Sequence, residues 1–116
     1  MSKRQFLMSE DAECAAFVRW LETQPEQFTH IANETPTNII QAARLKRMGV
    51  RAGVPDYMLI VRDRLVFIEM KRTAGGRVSP EQQHWLDVLK LTGAEAHVCE
   101  GFREAKQVVS NLLARW

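Results

Sequence analysis

Two apolar runs that almost touch constrain the fold of this chain more than any other sequence feature. Residues 57–61 (YMLIV) and 65–70 (LVFIEM) are separated only by Arg62-Asp63-Arg64. So short a connection favours a β-hairpin. Strands that are apolar on both faces belong in the middle of a sheet that is covered on both sides. The rest of the chain must therefore supply that cover.

Helical patterns occur on both sides of this hairpin. We predict helices over residues 10–23 with Ser9 as N-cap, 36–48 with Thr35 as N-cap, 80–91 with Ser79 as N-cap, and 102–113. Two further strands are expected over residues 28–32 and 94–99. The predicted order is α-β-α-β-β-α-β-α, which indicates an α/β fold with a mixed central sheet flanked by helices.

The size of the chain favours a single domain over residues 1–116. Hydrophobic residues make up 46% and charged residues 26%, the balance of a globular domain rather than a disordered one. No apolar run approaches the ~18 residues of a membrane span, and the N-terminus has no apolar signal-peptide core. We therefore expect no membrane association and a cytoplasmic location. Cys14 and Cys99 are expected to be buried free thiols.

Positive charge is concentrated in the middle of the sequence. The net charge of the chain is +2, yet residues 41–77 hold nine Lys and Arg against three acids. Such a patch favours contact with an anion, nucleic acid first, although charge alone leaves open a solvated helix face. Four of these cations directly precede the Gly53-Val54-Pro55-Asp56 motif, and we expect them to contact phosphate: Arg44, Lys46, Arg47 and Arg51.

The residues that carry chemistry lie along the predicted hairpin. Side chains alternate between the faces of a strand, so Glu69 and Lys71 point to the same side. Asp56 begins the partner strand, and the tight turn brings its carboxylate to the same end as Glu69. Two carboxylates that close repel each other unless a cation lies between them, and oxygen ligands suit Mg²⁺ or Mn²⁺. With an adjacent lysine, this set suits metal-assisted phosphodiester hydrolysis.

Two observations strengthen this interpretation over the alternative of capping acids and a surface lysine. Glu69 interrupts an otherwise apolar strand, where an isolated charge is costly. The loop that follows is rich in glycine, carries Arg72 and Arg77, and ends at the helix start marked by Ser79. A helix N-terminus favours anions, so we expect Arg72, Arg77 and Ser79 to contact DNA phosphate.

Three motifs together resemble the VRR-NUC family, a branch of the PD-(D/E)XK nuclease superfamily. They are residues 49–56 (GVRAGVPD), 68–72 (IEMKR) and 76–82 (GRVSPEQ). The resemblance implies a restriction-endonuclease-like core and a divalent metal held by Asp56 and Glu69. It further implies that Lys71 is the catalytic lysine and Gln82 another active-site residue.

The family also places an acidic residue of the first helix at the metal site. Glu10 and Glu13 are one turn apart and can face the same way. We favour Glu13 because it lies further inside the helix. The predicted metal set is Glu13, Asp56, Glu69 and Met70.

Small stand-alone members of the family, largely from phages, resemble structure-selective endonucleases that act as homodimers on branched DNA. The resemblance thus implies an Mg²⁺- or Mn²⁺-dependent endodeoxyribonuclease selective for branched DNA such as Holliday junctions, in a phage or bacterial host cytoplasm. The helices that carry Trp85 and Trp116 are the predicted dimer contacts. Two alternatives stay open: a catalytically silent DNA-binding module, and a nuclease subunit of a helicase or recombination complex.

Overall fold

The computed structural model describes residues 8–32, 36–74 and 76–115. Its elements follow the predicted order: α1 (Glu10–Leu21), β1 (Gln27–His30), α2 (Ile39–Arg47), β2 (Tyr57–Val61), β3 (Arg64–Lys71), α3 (Pro80–Leu91), β4 (Glu95–Glu100) and α4 (Phe102–Arg115). The predicted α/β class is confirmed.

A single four-stranded mixed sheet, in the order β1-β2-β3-β4, organises the described residues. β1, β2 and β3 form an antiparallel meander, whereas β4 runs parallel to β3 after the crossover through α3. The turn between β2 and β3 uses Arg62 and Asp63, both with positive φ, as a two-residue hairpin turn requires. The predicted hairpin is confirmed, with β2 and β3 inside the sheet.

Both faces of the sheet are covered, as the two apolar runs predicted. α1 and α4 pack on one face, over a core that includes Phe17, Ile68 and Met70. α3 packs on the other face, where Leu86 meets Phe67 of β3. Successive residues of β3 therefore alternate between the larger core and the α3 face, which places Glu69 on the α3 side.

Element boundaries differ from the predictions in several places. α2 begins at Ile39, because the side chain of Asn38 accepts a hydrogen bond from the Gln41 amide and caps the helix. Pro36 is therefore not helical, and the predicted cap Thr35 lies outside the described residues. α1 ends at Leu21 rather than residue 23, and β1 spans Gln27–His30 rather than 28–32.

The two cysteines are free, and they differ in burial. Cys99 is fully buried, as predicted, and burial raises the pKa of its thiol to about 12. Cys14 is only partly buried, because it lies at the edge of a surface pocket beside Tyr57. Among the described residues, no helix is both long and apolar enough to cross a membrane.

Candidate active site

Asp56 and Glu69 lie side by side at one end of the hairpin. Tyr57 pairs with Ile68, so that the preceding residue, Asp56, comes opposite Glu69. The backbone amide of Met70 donates to Asp56 Oδ2 at 2.7 Å, which fixes the aspartate against β3. Glu69 is only 3% exposed. The strand register thus brings together the two carboxylates that the sequence singled out.

Burial and the neighbouring Asp56 carboxylate outweigh the positive charge of Lys71 in the electrostatics of Glu69. Burial, and next the neighbouring Asp56 carboxylate, raise the pKa of Glu69 from 4.5 to about 8, although Lys71 acts in the opposite direction. Glu69 Oε2 is buried and has no hydrogen-bond partner among the described residues. The Asp56 side chain lies within hydrogen-bonding reach of Glu69, so a proton shared with Asp56, or a cation between the two carboxylates, would satisfy the buried acid.

Gln82 joins Glu69 to Lys71. Its Nε2 donates to Glu69 Oε1 at 3.2 Å, and its Oε1 accepts from Lys71 Nζ at 2.8 Å. The same Oε1 accepts from the Ser79 amide at 2.9 Å, while Ser79 Oγ accepts from the Gln82 amide. The two hydrogen bonds between Ser79 and Gln82, each from a backbone amide to a side-chain oxygen, form a capping box at the start of α3. The helix cap therefore holds the glutamine amide between the acid and the lysine.

Gly53 allows the start of α3 to approach the segment that leads into β2. Its φ is +93°, and a Cβ at this position would lie 2.7 Å from the backbone nitrogen of Gln82 and overlap the carbonyl of Glu81. Only glycine combines this backbone conformation with this clearance. The sequence marked Gly53 as part of a motif but gave no indication of the element that it contacts.

The residues present fit a divalent metal ion held by two carboxylates. Mg²⁺ is often bound by one or two carboxylates with water and substrate oxygens completing the shell, and Glu69 Oε2 is unsatisfied. The Met70 side chain is fully buried in the core, so only its main-chain carbonyl is available as a ligand. Among the described residues, no three His, Cys, Asp or Glu side chains form a cluster suited to a metal.

The two acids of α1 occupy different surroundings. Glu13 is buried and accepts a hydrogen bond from Thr73 Oγ1 at 2.6 Å. Glu10 is exposed, lines a pocket of about 570 Å³ together with Asp56, and contributes to the raised pKa of Glu69. The geometry therefore favours Glu10 over Glu13 as the α1 acid beside the carboxylate pair, contrary to our preference from the sequence.

Comparison with known proteins identifies the family. The VRR-NUC domain family matches residues 3–103. The chain belongs to the VRR-NUC family. Membership in this family indicates a nuclease-type function. No curated protein matches the sequence.

Two solved structures share the VRR-NUC fold of this chain. One, described as a VRR_NUC domain protein, is 24% identical with a TM-score of 0.77, covering 92% of this chain and 89% of that one. Another, described as a VRR_NUC domain, is 16% identical with a TM-score of 0.64, covering 89% and 97% respectively. At these identities the likeness establishes the fold alone.

The cations of this VRR-NUC domain that we expect to contact DNA are all exposed: Arg44, Lys46, Arg47, Arg51, Arg72 and Arg77. α2, which carries the first three, contains no buried residue. Arg51 lines a groove of about 600 Å³ with His84 and Trp85, beside the start of α3. Ser79, the seventh predicted contact, is partly buried and uses its hydroxyl oxygen in the helix cap.

Proposed function

We propose that this VRR-NUC domain is an Mg²⁺- or Mn²⁺-dependent endodeoxyribonuclease that hydrolyses phosphodiester bonds in branched DNA. The observation that carries the proposal is the placement of Asp56 beside Glu69 at one end of the hairpin, with Gln82 hydrogen-bonded to both Glu69 and Lys71. A module that only binds DNA gains nothing from two adjacent carboxylates, one of them buried, because they repel phosphate. A metal-dependent hydrolase needs them.

Asp56 and Glu69 would hold the divalent ion. When bound, the ion supplies Lewis-acid polarisation of the phosphodiester group. Glu69 must be ionised to serve as a ligand, and its raised pKa means that metal binding competes with a proton. The hydrogen bond from the Met70 backbone amide holds the Asp56 carboxylate against β3 beside Glu69, and Asp56 also lines the surface pocket that contains Glu10.

Lys71 supplies a positive charge that is held in place before the substrate arrives. Its Nζ donates to Gln82, a neutral partner, so its charge is not cancelled by that contact. An ammonium fixed in this way stabilises charge that develops on the phosphate, or orients the attacking water. Gln82 acts through the two groups that it joins.

The exposed cations provide the DNA surface. α2 and the groove beside α3 carry Arg44, Arg47 and Arg51, and phosphate contacts of this kind position DNA without reading its sequence. Exposed cations that contact phosphate in this way suit a substrate that is recognised by the course of its sugar-phosphate backbones rather than by its base sequence. This supports selection of DNA by shape, and branched DNA is the substrate class that we propose.

We further propose that the domain acts as a C₂ homodimer, because symmetric cutting of a junction needs two sites related by a two-fold axis. α3 leaves Leu91 87% exposed and Val88 39% exposed, which supports the predicted use of the Trp85 helix as an interface. Trp116 lies outside the described residues. Sedimentation should give about twice the 13.3 kDa chain mass; a strict monomer that cuts both strands in concert would contradict the dimer.

A panel of labelled substrates tests the proposal. Purified protein is incubated with a four-way junction, a splayed duplex and a linear duplex, each with Mg²⁺, Mn²⁺ or EDTA. We expect metal-dependent cleavage, fastest on the branched substrates. Binding without cleavage in every metal would instead support a silent DNA-binding module, and cleavage that requires an added helicase or recombination protein would support a nuclease subunit.

A further inference from the structure

Glu13 carries a buried carboxylate that has a specific partner outside the acid pair. The residue is 8% exposed, and Oε2 accepts a hydrogen bond from Thr73 Oγ1 at 2.6 Å. Thr73 lies two residues after Lys71, in the loop that follows β3. A buried acid is costly unless it is hydrogen-bonded, so this contact fixes both the Glu13 side chain and the loop.

The backbone of Gly101 packs directly against the hydrogen-bonded side chains of Glu13 and Thr73. Its φ is +90°, and a Cβ there would lie 2.7 Å from Thr73 Oγ1 and overlap the Glu13 carboxylate. The Gly101 amide donates to the Lys71 carbonyl at 2.9 Å. Gly101 also precedes α4, and the N-terminus of a helix favours a carboxylate beside it. The helix α1, the end of β3 and the residue that precedes α4 therefore meet around residues 71–73.

We propose that Glu13 is a positioning residue for Lys71 and not a metal ligand. The Glu13–Thr73 hydrogen bond, seated on Gly101, holds the chain directly after Lys71, so that Nζ stays on Gln82 and the loop presents Arg72 to DNA. The proposal rests on the proposed nuclease function for its catalytic consequence. The contact itself and the metal-binding consequence are independent of that function.

Thr73 is only two residues from Lys71, so a change in the Thr73 contact should affect the position of the lysine. Lys71 is held by its side chain at Gln82 and by its carbonyl at Gly101. Thr73 provides the side-chain hydrogen bond that ties segment 72–74 to α1. Loss of that bond frees the backbone next to a catalytic side chain, and small misplacements of such groups are costly to rate.

A pair of variants at Thr73 isolates the hydroxyl. Thr73→Val keeps the shape and removes the donor, whereas Thr73→Ser keeps the donor. Thr73 is exposed, so both variants should fold. In single-turnover cleavage with Mn²⁺, we expect Thr73→Val to be slower by about tenfold or more, and Thr73→Ser to retain most of the rate. Equal rates for valine, serine and wild type would overturn the proposal.

Metal binding separates positioning from ligation. Titration of the metal-free protein with Mn²⁺, followed by electron paramagnetic resonance, should give the same affinity for wild type, Thr73→Val and Glu13→Gln. The glutamine oxygen can still accept from Thr73, so Glu13→Gln should also remain active. If Glu13→Gln weakens Mn²⁺ binding as much as Glu69→Gln does, Glu13 is a ligand and the proposal is wrong.

Hydrogen exchange tests the contact without any catalytic readout. Amides of residues 71–74 and of Gly101 should exchange faster in Thr73→Val than in Thr73→Ser, with the core amides of β2 unchanged. Equal exchange in both variants would overturn the positioning role. If wild-type protein cleaves no DNA, the proposed function fails, while the exchange and Mn²⁺ results still decide where Glu13 acts.

Discussion

Lys71 Nζ lies 2.8 Å from Gln82 Oε1, so the side chain of a strand residue is held by the first turn of the following helix. The same amide group reaches Glu69 through its nitrogen. One glutamine thereby sets the relative positions of an acid and a lysine on β3. Catalysis by this domain should accordingly depend on both ends of this bridge.

Replacing Lys71 with alanine should slow cleavage by about a hundredfold or more, since it removes a preorganised charge stabiliser. Gln82→Ala should slow cleavage less, because the lysine remains, and should also lower stability through loss of the capping box. Single-turnover rates at saturating Mg²⁺ measure both effects. Lys90→Ala, at the exposed end of the same helix, is the matched control and should cleave normally.

The metal-free protein should lose stability as the pH rises from about 4.5 to about 8. In this interval the Glu69 carboxyl is ionised in the unfolded chain but still protonated in the folded one, because its folded pKa is about 8. The folded state then binds more protons, so the free energy of unfolding falls, by at most about 1.4 kcal/mol per pH unit from this group.

Chemical denaturation in EDTA at a series of pH values measures this dependence. Glu69→Gln, which cannot ionise, should show a flatter profile and greater stability at pH 8. Saturating Mg²⁺ should flatten the wild-type profile in the same interval, because the ion displaces the proton. Identical slopes for wild type and Glu69→Gln would contradict the raised pKa.

Gly53→Ala should damage the site more than an equally strained glycine substitution elsewhere. Gly53 and Gly93 both have φ near +90°, so alanine costs about 1 kcal/mol of backbone strain at either position. Gly93 has open space around it, whereas a Cβ on Gly53 collides with the backbone of α3 beside Gln82. We expect Gly53→Ala to be the less stable of the two and the one that cleaves slowly, in thermal denaturation and cleavage assays.

Removal of the basic surface should weaken binding to all DNA sequences alike. If Arg44, Lys46, Arg47 and Arg51 each meet one phosphate, the quadruple alanine variant should flatten the slope of log K against log salt by about four. Fluorescence anisotropy across a salt series measures that slope. A Lys90 and Arg103 double variant serves as control, and an unchanged slope in the quadruple variant would assign these cations to a solvated face.

The sequence predicted the fold well because most helices and strands are marked by residues within or next to them. The hairpin followed from two apolar runs and a short connection, and α3 from Ser79-Pro80, whose cap the structure confirms. The predicted start of α2 was wrong because it took Thr35, followed by Pro36, as the cap, whereas Asn38, a stronger type of N-cap, begins the helix three residues later. The short strand β1 was displaced because its residues alternate weakly in burial.

The candidate site was predictable only where its residues lie close together in the sequence. Asp56, Glu69 and Lys71 are joined by one hairpin, so strand alternation was enough to bring them together. The Glu13–Thr73 contact spans 60 residues, and Gly101 reaches both from a third element. No periodicity within the chain encodes such a meeting. The choice between Glu10 and Glu13 likewise depended on how α1 packs against the sheet.

Cleavage of an end-labelled four-way junction, with Mg²⁺ or EDTA, by wild type, Asp56→Asn and Glu69→Gln tests the central claim most directly. We expect product only for wild type in Mg²⁺, with both variants binding the junction as tightly as wild type or more tightly, since carboxylate repulsion of phosphate is relieved. Glu22→Gln, an exposed acid beyond α1, should cleave normally. Near-normal cleavage by either acid-pair variant, or by wild type in EDTA, would contradict a metal-dependent hydrolysis at Asp56 and Glu69.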